Sequence, residues 1–434
     1  MIADIRRSHF ANELNQNLID HKVKIAGWIE DIRDIGKIVF LIIRDKTGTA
    51  QAIITEQNLD IARNAPRQSA VIIMGVVQKT KAKDYPIEIK VQQLEVLTKA
   101  IQPLPIDPTG RVESALDKRL DCRALDLRNP KISSIFHLRS EALHNIRETL
   151  RSEGFIEVTT PKLIGSASEG GANLFSLNYF KNKAYLAQSP QLYKEQLSLG
   201  LDKVFEIGPY FRAENSHTVR HLSEFTSIDI EAAFMDYEDV MDIVEEVLRN
   251  LFSGLFEGCK EEIKTLSGEI SSSSFFPEQK IERLTYEQCL EELAQDNEKI
   301  DFGNDLSDAS LRKLGEKHRG FYFITDWPLE LKPFYIHEKE NDTRLSKSFD
   351  LQYGYLELAS GGRRQHDPYK LRARLEEQGL NPANFAEHLK AFDWGMPPHS
   401  GWGLGFDRLM MVMTNSQNVR DVVLYPRDTE RLTP

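Results

Sequence analysis

The chain has 434 residues, with 55 Lys+Arg against 66 Asp+Glu for a formal charge of −11, and is 41% hydrophobic and 28% charged. That balance excludes a disordered chain, and at ~150 residues per domain it predicts two or three packed domains. No run reaches the ~18 apolar residues of a membrane helix. Residues 1–9 hold no apolar leader, and Cys122, Cys259 and Cys289 lie too far apart for a CxxC pair or a disulfide framework. A cytoplasmic globular protein with no membrane association is expected.

Residues 1–100 carry 15 Lys+Arg and 12 Asp+Glu, and the remainder carries 40 and 54. A slightly basic module ahead of an acidic body is compatible with an anionic partner, and equally with uneven surface charge. Segments 23–29, 38–44, 49–55, 70–77 and 87–94 are rich in β-branched residues and broken by turn signals. Five short strands predict a small barrel, the oligonucleotide-binding (OB) type first and an SH3-like barrel second. Three prolines in Gln102-Pro-Leu-Pro-Ile-Asp-Pro-Thr-Gly-Arg111 mark a stiff linker and a domain boundary.

From residue 133, apolar positions recur at helical spacing to 150, with Ser133 or Ser134 available as N-cap. Strands follow at 155–160, 203–211, 224–234, 321–325, 348–353 and 355–359. Helices are expected at 237–252, 285–296, 368–378, 382–391 and 406–414. Hairpins with interspersed helices predict an α+β domain with an antiparallel sheet at 133–434, behind a barrel at 1–101 and a hinge at 102–132. Residues 257–320 read as a peripheral insertion.

Three constellations carry chemistry. In Phe349-Asp-Leu-Gln-Tyr-Gly-Tyr-Leu-Glu-Leu358, a turn at Tyr353-Gly354 would place Asp350 and Glu357 face to face, a repulsion that a hard dication relieves. A slipped register, with one carboxylate in solvent, is the alternative. In the second, Arg212 and Glu214 share one face, as do Phe225, Ser227 and Asp229, while Thr226, Ile228 and Ile230 form the apolar reverse. Aromatic, acidic and guanidinium groups on one face suit a purine nucleotide. The loop between them adds His217, Arg220 and His221. Third, Gly401-Trp-Gly-Leu-Gly-Phe-Asp-Arg408 enters an apolar helix, with Arg408 in its first turn where phosphate binding is favoured. Two further patches are Ile164-Gly-Ser-Ala-Ser-Glu169-Gly-Gly-Ala172, small enough for a lid, and Gln188-Ser-Pro-Gln191-Leu-Tyr-Lys194, which also suits a plain helix start.

Together and in this order, these segments resemble a class II aminoacyl-tRNA synthetase, specifically the aspartyl family in its compact archaeal/eukaryotic-like type. The helix–strand ending in Thr160-Pro161 is similar to the family's first motif, Phe211-Arg-Ala-Glu214 with Phe225 to the second, and Gly403-Leu-Gly-Phe-Asp-Arg408 to the third. Gln188–Lys194 and Glu357-Leu-Ala-Ser-Gly-Gly-Arg-Arg364 resemble its aspartate pocket. Asparaginyl enzymes share the three motifs but lack the Ser-Pro-Gln-x-x-Lys arrangement, so Lys194 points to aspartate.

The resemblance implies residue roles. Arg212 and Arg408 would neutralise phosphate charge in catalysis, with Glu214, Arg220, His221, Leu222, Phe225, Glu357 and Gly405 completing the ATP site. Asp350, Glu357 and Ser360 would hold Mg²⁺. Lys194 and Arg364 would grip the aspartate side chain as two cations that asparagine would leave uncompensated, while Ser189, Gln191, Asp229, Ser360 and Glu169 surround the rest. A one-residue shift would exchange Arg363 and Arg364. In the barrel, Phe40 would stack an anticodon base beside Arg33 and Gln51, unless Phe40 belongs to the core. The implied partners are L-aspartate, ATP, tRNA-Asp and a second copy joined through 133–161. Glu30 fits neither family pattern that separates tRNA-Asp from tRNA-Asn, so the second acceptor stays open. The alternatives on the same fold are an asparagine-forming amide ligase and an RNA-binding paralogue without catalysis.

Overall fold

The computed structural model describes all residues except 1–3, 81, 83–84, 166–173, 216–217 and 268–279. The chain divides into two compact units, Met1–Pro130 and Lys131–Pro434.

In the first unit, β1 (Lys22–Asp34), β2 (Val39–Asp45), β3 (Gly48–Ile54), β4 (Ala70–Lys79) and β5 (Ile87–Thr98) close into a barrel in the order β1-β2-β3-β5-β4. Alternation along β2 buries Val39, Leu41 and Ile43 and turns Phe40 and Ile42 outward, as a strand with one core face requires. Phe40 is therefore outside the barrel core. Short helices Leu116–Asp121 and Arg123–Asp126 follow the proline-rich stretch.

The second unit is built on an eight-stranded sheet. Its strands are β6 (Ile156–Glu157), β10 (Lys203–Phe211), β11 (Glu224–Ala233), β12 (Glu282–Thr285), β13 (Phe321–Thr325), β14 (Ser348–Tyr353), β15 (Leu356–Arg363) and β16 (His399–Gly405). The order is β12-β13-β14-β15-β16-β11-β10-β6, antiparallel through the centre and parallel in the two edge pairs. A small sheet of β7 (Leu163–Ile164), β8 (Ser176–Tyr179) and β9 (Asn182–Leu186) stands apart. Helices Pro130–Ser152, Tyr237–Gly258 and Phe406–Thr414 cover one face of the large sheet. Ile228 and Ile230 of β11 point into that core beside Val244, Leu248 and Met410, leaving the opposite face for polar groups.

Some local expectations change. The first helix starts at Pro130, so Ser133 and Ser134 lie inside it; proline at a first helical position costs no intrahelical bond. Residues 399–405 form a central strand despite their glycines. The β14–β15 turn centres on Gly354-Tyr355, with Gly354 at φ +56°, and a bulge follows, so Asp350 pairs with Ser360 and Glu357 with Gln352. The expected opposition of Asp350 and Glu357 therefore does not occur: the turn sits one residue later than expected, which sets Glu357 against Gln352, and the bulge beyond it moves Asp350 on to Ser360. Segment 257–320 supplies the edge strand β12 and helices Tyr286–Gln295 and Asp308–Lys317, with a small core of their own.

Candidate active site

The polar face of β11, β15 and β16 floors a cavity of about 350 Å³. Ser189, Gln191, Arg212, Glu214, Arg220, His221, Leu222, Phe225, Asp229, Glu357, Ser360, Arg364, Gly405 and Arg408 all line it. Period-2 alternation along β11 accounts for Phe225, Ser227 and Asp229, and strand pairing brings Gly403 and Ser360 beside them.

One end is cationic and open. Arg212 leaves the end of β10, its amide donating to the Ser223 carbonyl at 3.0 Å. Its guanidinium lies 5.3 Å from the Phe225 ring centroid and 3.8 Å from Glu214 Oε1, with the side chain 45% exposed. Arg408, third residue of its helix, donates to the Glu357 carbonyl at 2.9 Å. It also faces His221 Nε2 at 3.3 Å, while His221 Nδ1 lies 2.6 Å from Thr218 Oγ1. Arginine only donates, so Nε2 accepts and the ring proton sits on Nδ1, directed at Thr218. Burial and then Arg408 hold the imidazole below its ordinary pKa, with Arg220 and Arg212 adding to the effect. Three arginines around a neutral histidine form a site for polyphosphate charge. Arg220 pairs with Asp308 of segment 257–320, and both Arg220 and Arg312 lie against the Tyr355 ring, so that segment reaches the cavity mouth.

The other end is buried and paired. Lys194, one turn into the helix Gln191–Leu201, places Nζ 3.1 Å from Asp229 Oδ1, 3.6 Å from Glu231 Oε2 and 3.1 Å from the Trp402 carbonyl. Arg364 donates from Nε and Nη2 to Glu231 at 2.9 and 3.2 Å, spending two of its five N–H groups. The two cations are thus compensated by Asp229 and Glu231, not bare as expected. Burial works against the Arg364 charge, but Glu231 outweighs it. Arg363 points elsewhere, to Asp236 at 3.1 Å. The glycines of β16 make room for this network. Gly403 pairs with Asp229 and Gly401 with Glu231, and a Cβ at Gly403 would stand 2.9 Å from Asp229 Oδ1 while one at Gly401 would collide with Glu231 Oε2.

Of the hairpin carboxylates, Glu357 lines the cavity, whereas Asp350 is buried behind the lining, against Lys332. Asp350 Oδ2 accepts from Lys332 Nζ at 2.7 Å, and its buried Oδ1 has no hydrogen-bond partner among the described residues. Glu357 is reached by solvent from the cavity yet walled by protein. Burial raises its carboxyl above the ordinary range and the Asp350 charge adds to this, against Arg408, Lys332 and Arg212. Among the described residues no three His, Cys, Asp or Glu side chains could hold a metal alone. Two carboxylates, one with an orphaned oxygen, and the Ser360 hydroxyl fit a hard cation that takes its other ligands from phosphate and water.

Glu169 and His217 lie outside the described residues, as does most of the 164–172 lid. In the barrel, Arg33 is exposed and paired in register with Phe40. Gln51 is buried and donates to Glu88 Oε2 at 2.8 Å. Glu30, at a bulge in β1, pairs with Arg44.

Sequence reasoning missed Lys332 and Tyr335, which line the cavity from an irregular segment with no periodicity. It also missed Glu231, although extending the Phe225–Ser227–Asp229 alternation by two residues reaches it.

Comparison with known proteins agrees with this geometry. Residues 115–429 match the model of tRNA synthetases class II (D, K and N), and residues 23–97 match that of the OB-fold nucleic acid binding domain. An aspartate–tRNA(Asp/Asn) ligase of Methanocaldococcus jannaschii is 45% identical over 99% of this chain and 98% of its own length. The structure of asparaginyl-tRNA synthetase from Pyrococcus horikoshii complexed with asparaginyl-adenylate superposes with a TM-score of 0.93 at 34% identity, covering 99% and 100% of the two chains. An aspartyl-tRNA synthetase from Entamoeba histolytica gives 0.87 at 30% identity over 98% and 92%. The chain belongs to the class II aminoacyl-tRNA synthetases of the D, K and N group and is an enzyme of that family with an N-terminal OB-fold domain.

Proposed function

We propose that the protein joins L-aspartate to the 3′-terminal ribose of tRNA-Asp, through aspartyl-adenylate, at the expense of ATP. The observation that carries the choice of amino acid is the buried Lys194–Asp229–Glu231–Arg364 network at the closed end of the cavity. Arg364 keeps N–H groups beyond the two that Glu231 uses, and it lines the cavity, where a side-chain carboxylate would complete a charge-assisted pair. An amide in that position would present an N–H₂ to a donor-rich wall, a mismatch that buried polar sites reject strongly.

In this reading the α-carboxylate of aspartate attacks the α-phosphorus of ATP, the bond to the bridging oxygen breaks, and pyrophosphate leaves. A ribose hydroxyl of the tRNA then displaces AMP from the carbonyl carbon. Arg212 and Arg408 stand where charge develops on the phosphates, Phe225 offers a face to adenine, and His221 gains affinity for a proton as anionic oxygens approach. No side chain acts as nucleophile; the site positions two reactants and neutralises charge. Asp350, Glu357 and Ser360 would hold Mg²⁺, whose chemistry is charge neutralisation on the polyphosphate.

The barrel at 1–101 would read the anticodon through Phe40 and Arg33 on its outer face. Gln51, tied to Glu88, would have to exchange that bond for a base. A homodimer through 133–161 is supported by Ile156 and Leu163, 47% and 48% exposed there and just beyond. A cytoplasmic setting fits three free cysteines and, among the described residues, no helix long and apolar enough to cross a membrane. The name of the M. jannaschii relative favours tRNA-Asn as a second acceptor. Aspartate charging of matched tRNA-Asp and tRNA-Asn transcripts tests this: both should be charged. Charging of tRNA-Asp alone would remove the second acceptor, and charging of neither would overturn the assignment.

A further inference from the structure

We propose that Glu195 is a positioning residue that fixes the amide of Gln191 with its carbonyl oxygen towards the amino acid's α-ammonium, braced from behind by His388 and His399. The inference rests on the reading of the cavity as an α-amino-acid site.

Gln191 and Glu195 sit one turn apart on the helix Gln191–Leu201, on the same face, and are 4% and 0% exposed. Gln191 Nε2 lies 2.6 Å from Glu195 Oε1. A carboxylate only accepts, so whichever way the amide could turn, its N–H₂ must meet Glu195. Gln191 lines the cavity. With its donor end held, the end it offers a substrate is the carbonyl oxygen, which suits an ammonium and not a carboxylate.

The orientation holds only while Glu195 is ionised. Its second oxygen, Oε2, faces His399 Nε2 at 3.5 Å and His388 Nε2 at 3.6 Å, and among the described residues none of these three buried atoms has another hydrogen-bond partner. His399 Nδ1 lies 2.8 Å from the Pro397 carbonyl, which requires a proton there, while the carboxylate at Nε2 favours a second. Burial opposes a charge on His399, but Glu195 outweighs it and raises the imidazole above its ordinary pKa. Burial lowers His388, which serves as a neutral ring. Burial alone would also raise Glu195, yet His399 and, beyond it, Arg364 hold its carboxyl well below the usual range. The Arg364 amide donates to the His399 carbonyl at 2.8 Å, so the same brace reaches the residue at the substrate side chain.

The test is aspartate-dependent ATP–pyrophosphate exchange, with succinate, which is aspartate without its amino group, as competing probe. Glu195→Gln leaves the amide of Gln191 free to turn. It should raise KM for aspartate about 10-fold or more, leave KM for ATP unchanged, and move the succinate inhibition constant less than about 2-fold. Glu195→Asp keeps the charge beside His399 but withdraws it from Gln191, and should show the same split in a folded protein should the glutamine variant fail to fold. A parallel loss of aspartate and succinate binding would mean a merely structural role and overturn the proposal. So would unchanged aspartate KM in either variant. Absence of aspartate-dependent exchange in the wild-type protein would instead remove the amino-acid reading on which the proposal rests.

Discussion

The two ends of the cavity are built on opposite plans. The cationic end is carried by a strand end, a loop and the first turn of a helix, with Arg212 45% exposed and its ion pair to Glu214 stretched to 3.8 Å. The closed end is a preassembled network in which Lys194 and Arg364 are 3% exposed and paired with Asp229 and Glu231 before any substrate arrives. Phosphates carry enough charge to organise exposed arginines, whereas one methylene carboxylate must be recognised by a site that is already rigid. Recognition therefore lies with the buried end and charge neutralisation with the open one.

The largest expected effect breaks the buried end. Lys194→Ala strands Asp229 without its cation and leaves Glu231 to Arg364 alone; removing one partner of a buried pair costs ~3–5 kcal/mol and should lower Tm by on the order of 10 °C. Aspartate-dependent exchange should fall ~10³-fold or more, with ATP binding retained in calorimetry. Wild-type exchange in this variant would show that the network does not recognise the side chain.

Arg212→Ala sharpens the contrast. Exchange should fall ~10²–10³-fold, while Tm stays within about 1 °C because exposed pairs contribute little. A thermal shift as large as that of Lys194→Ala would erase the distinction.

Glu357 sits between the two plans. Its folded-state pKa is raised, so its contribution is fully present below the unfolded pKa and is lost as pH rises through the folded value. Glu357→Gln should therefore be more thermostable than wild type at neutral pH without magnesium, while losing exchange with it. Equal Tm values without magnesium would mean that Asp350 and Glu357 do not repel.

The smallest effect concerns His221, whose folded pKa is depressed. Its stability contribution is present above the unfolded value near 6.5 and is lost as pH falls from there through the lower folded value. ATP should restore the lost basicity, so binding at pH 6 should take up protons, seen as a buffer-dependent enthalpy that His221→Asn abolishes. Buffer-independent enthalpies would place His221 away from the triphosphate.

Alternation in β11 made Phe225, Ser227 and Asp229 legible, because a strand with one aliphatic face must show its polar residues together. Phe40 was legible in kind but not in placement, since β2 is apolar on both faces and only the barrel's closure decides which points inward. The Asp350–Glu357 pairing failed because the turn centres on Gly354-Tyr355, one residue beyond Tyr353-Gly354, and either dipeptide carries the same glycine signal. The glycines of 399–405 hid a strand, because their purpose, space for Asp229 and Glu231, depends on a neighbour 170 residues away in sequence. Lys332 and Tyr335 carried no signal at all: their segment has no period, and only the fold carries it to the cavity.

The most direct test of the buried end is wild-type ATP–pyrophosphate exchange with L-aspartate and with L-asparagine at equal concentration. The Lys194–Asp229–Glu231–Arg364 network predicts exchange with aspartate at least ~100-fold above asparagine. Comparable or faster exchange with asparagine would contradict it.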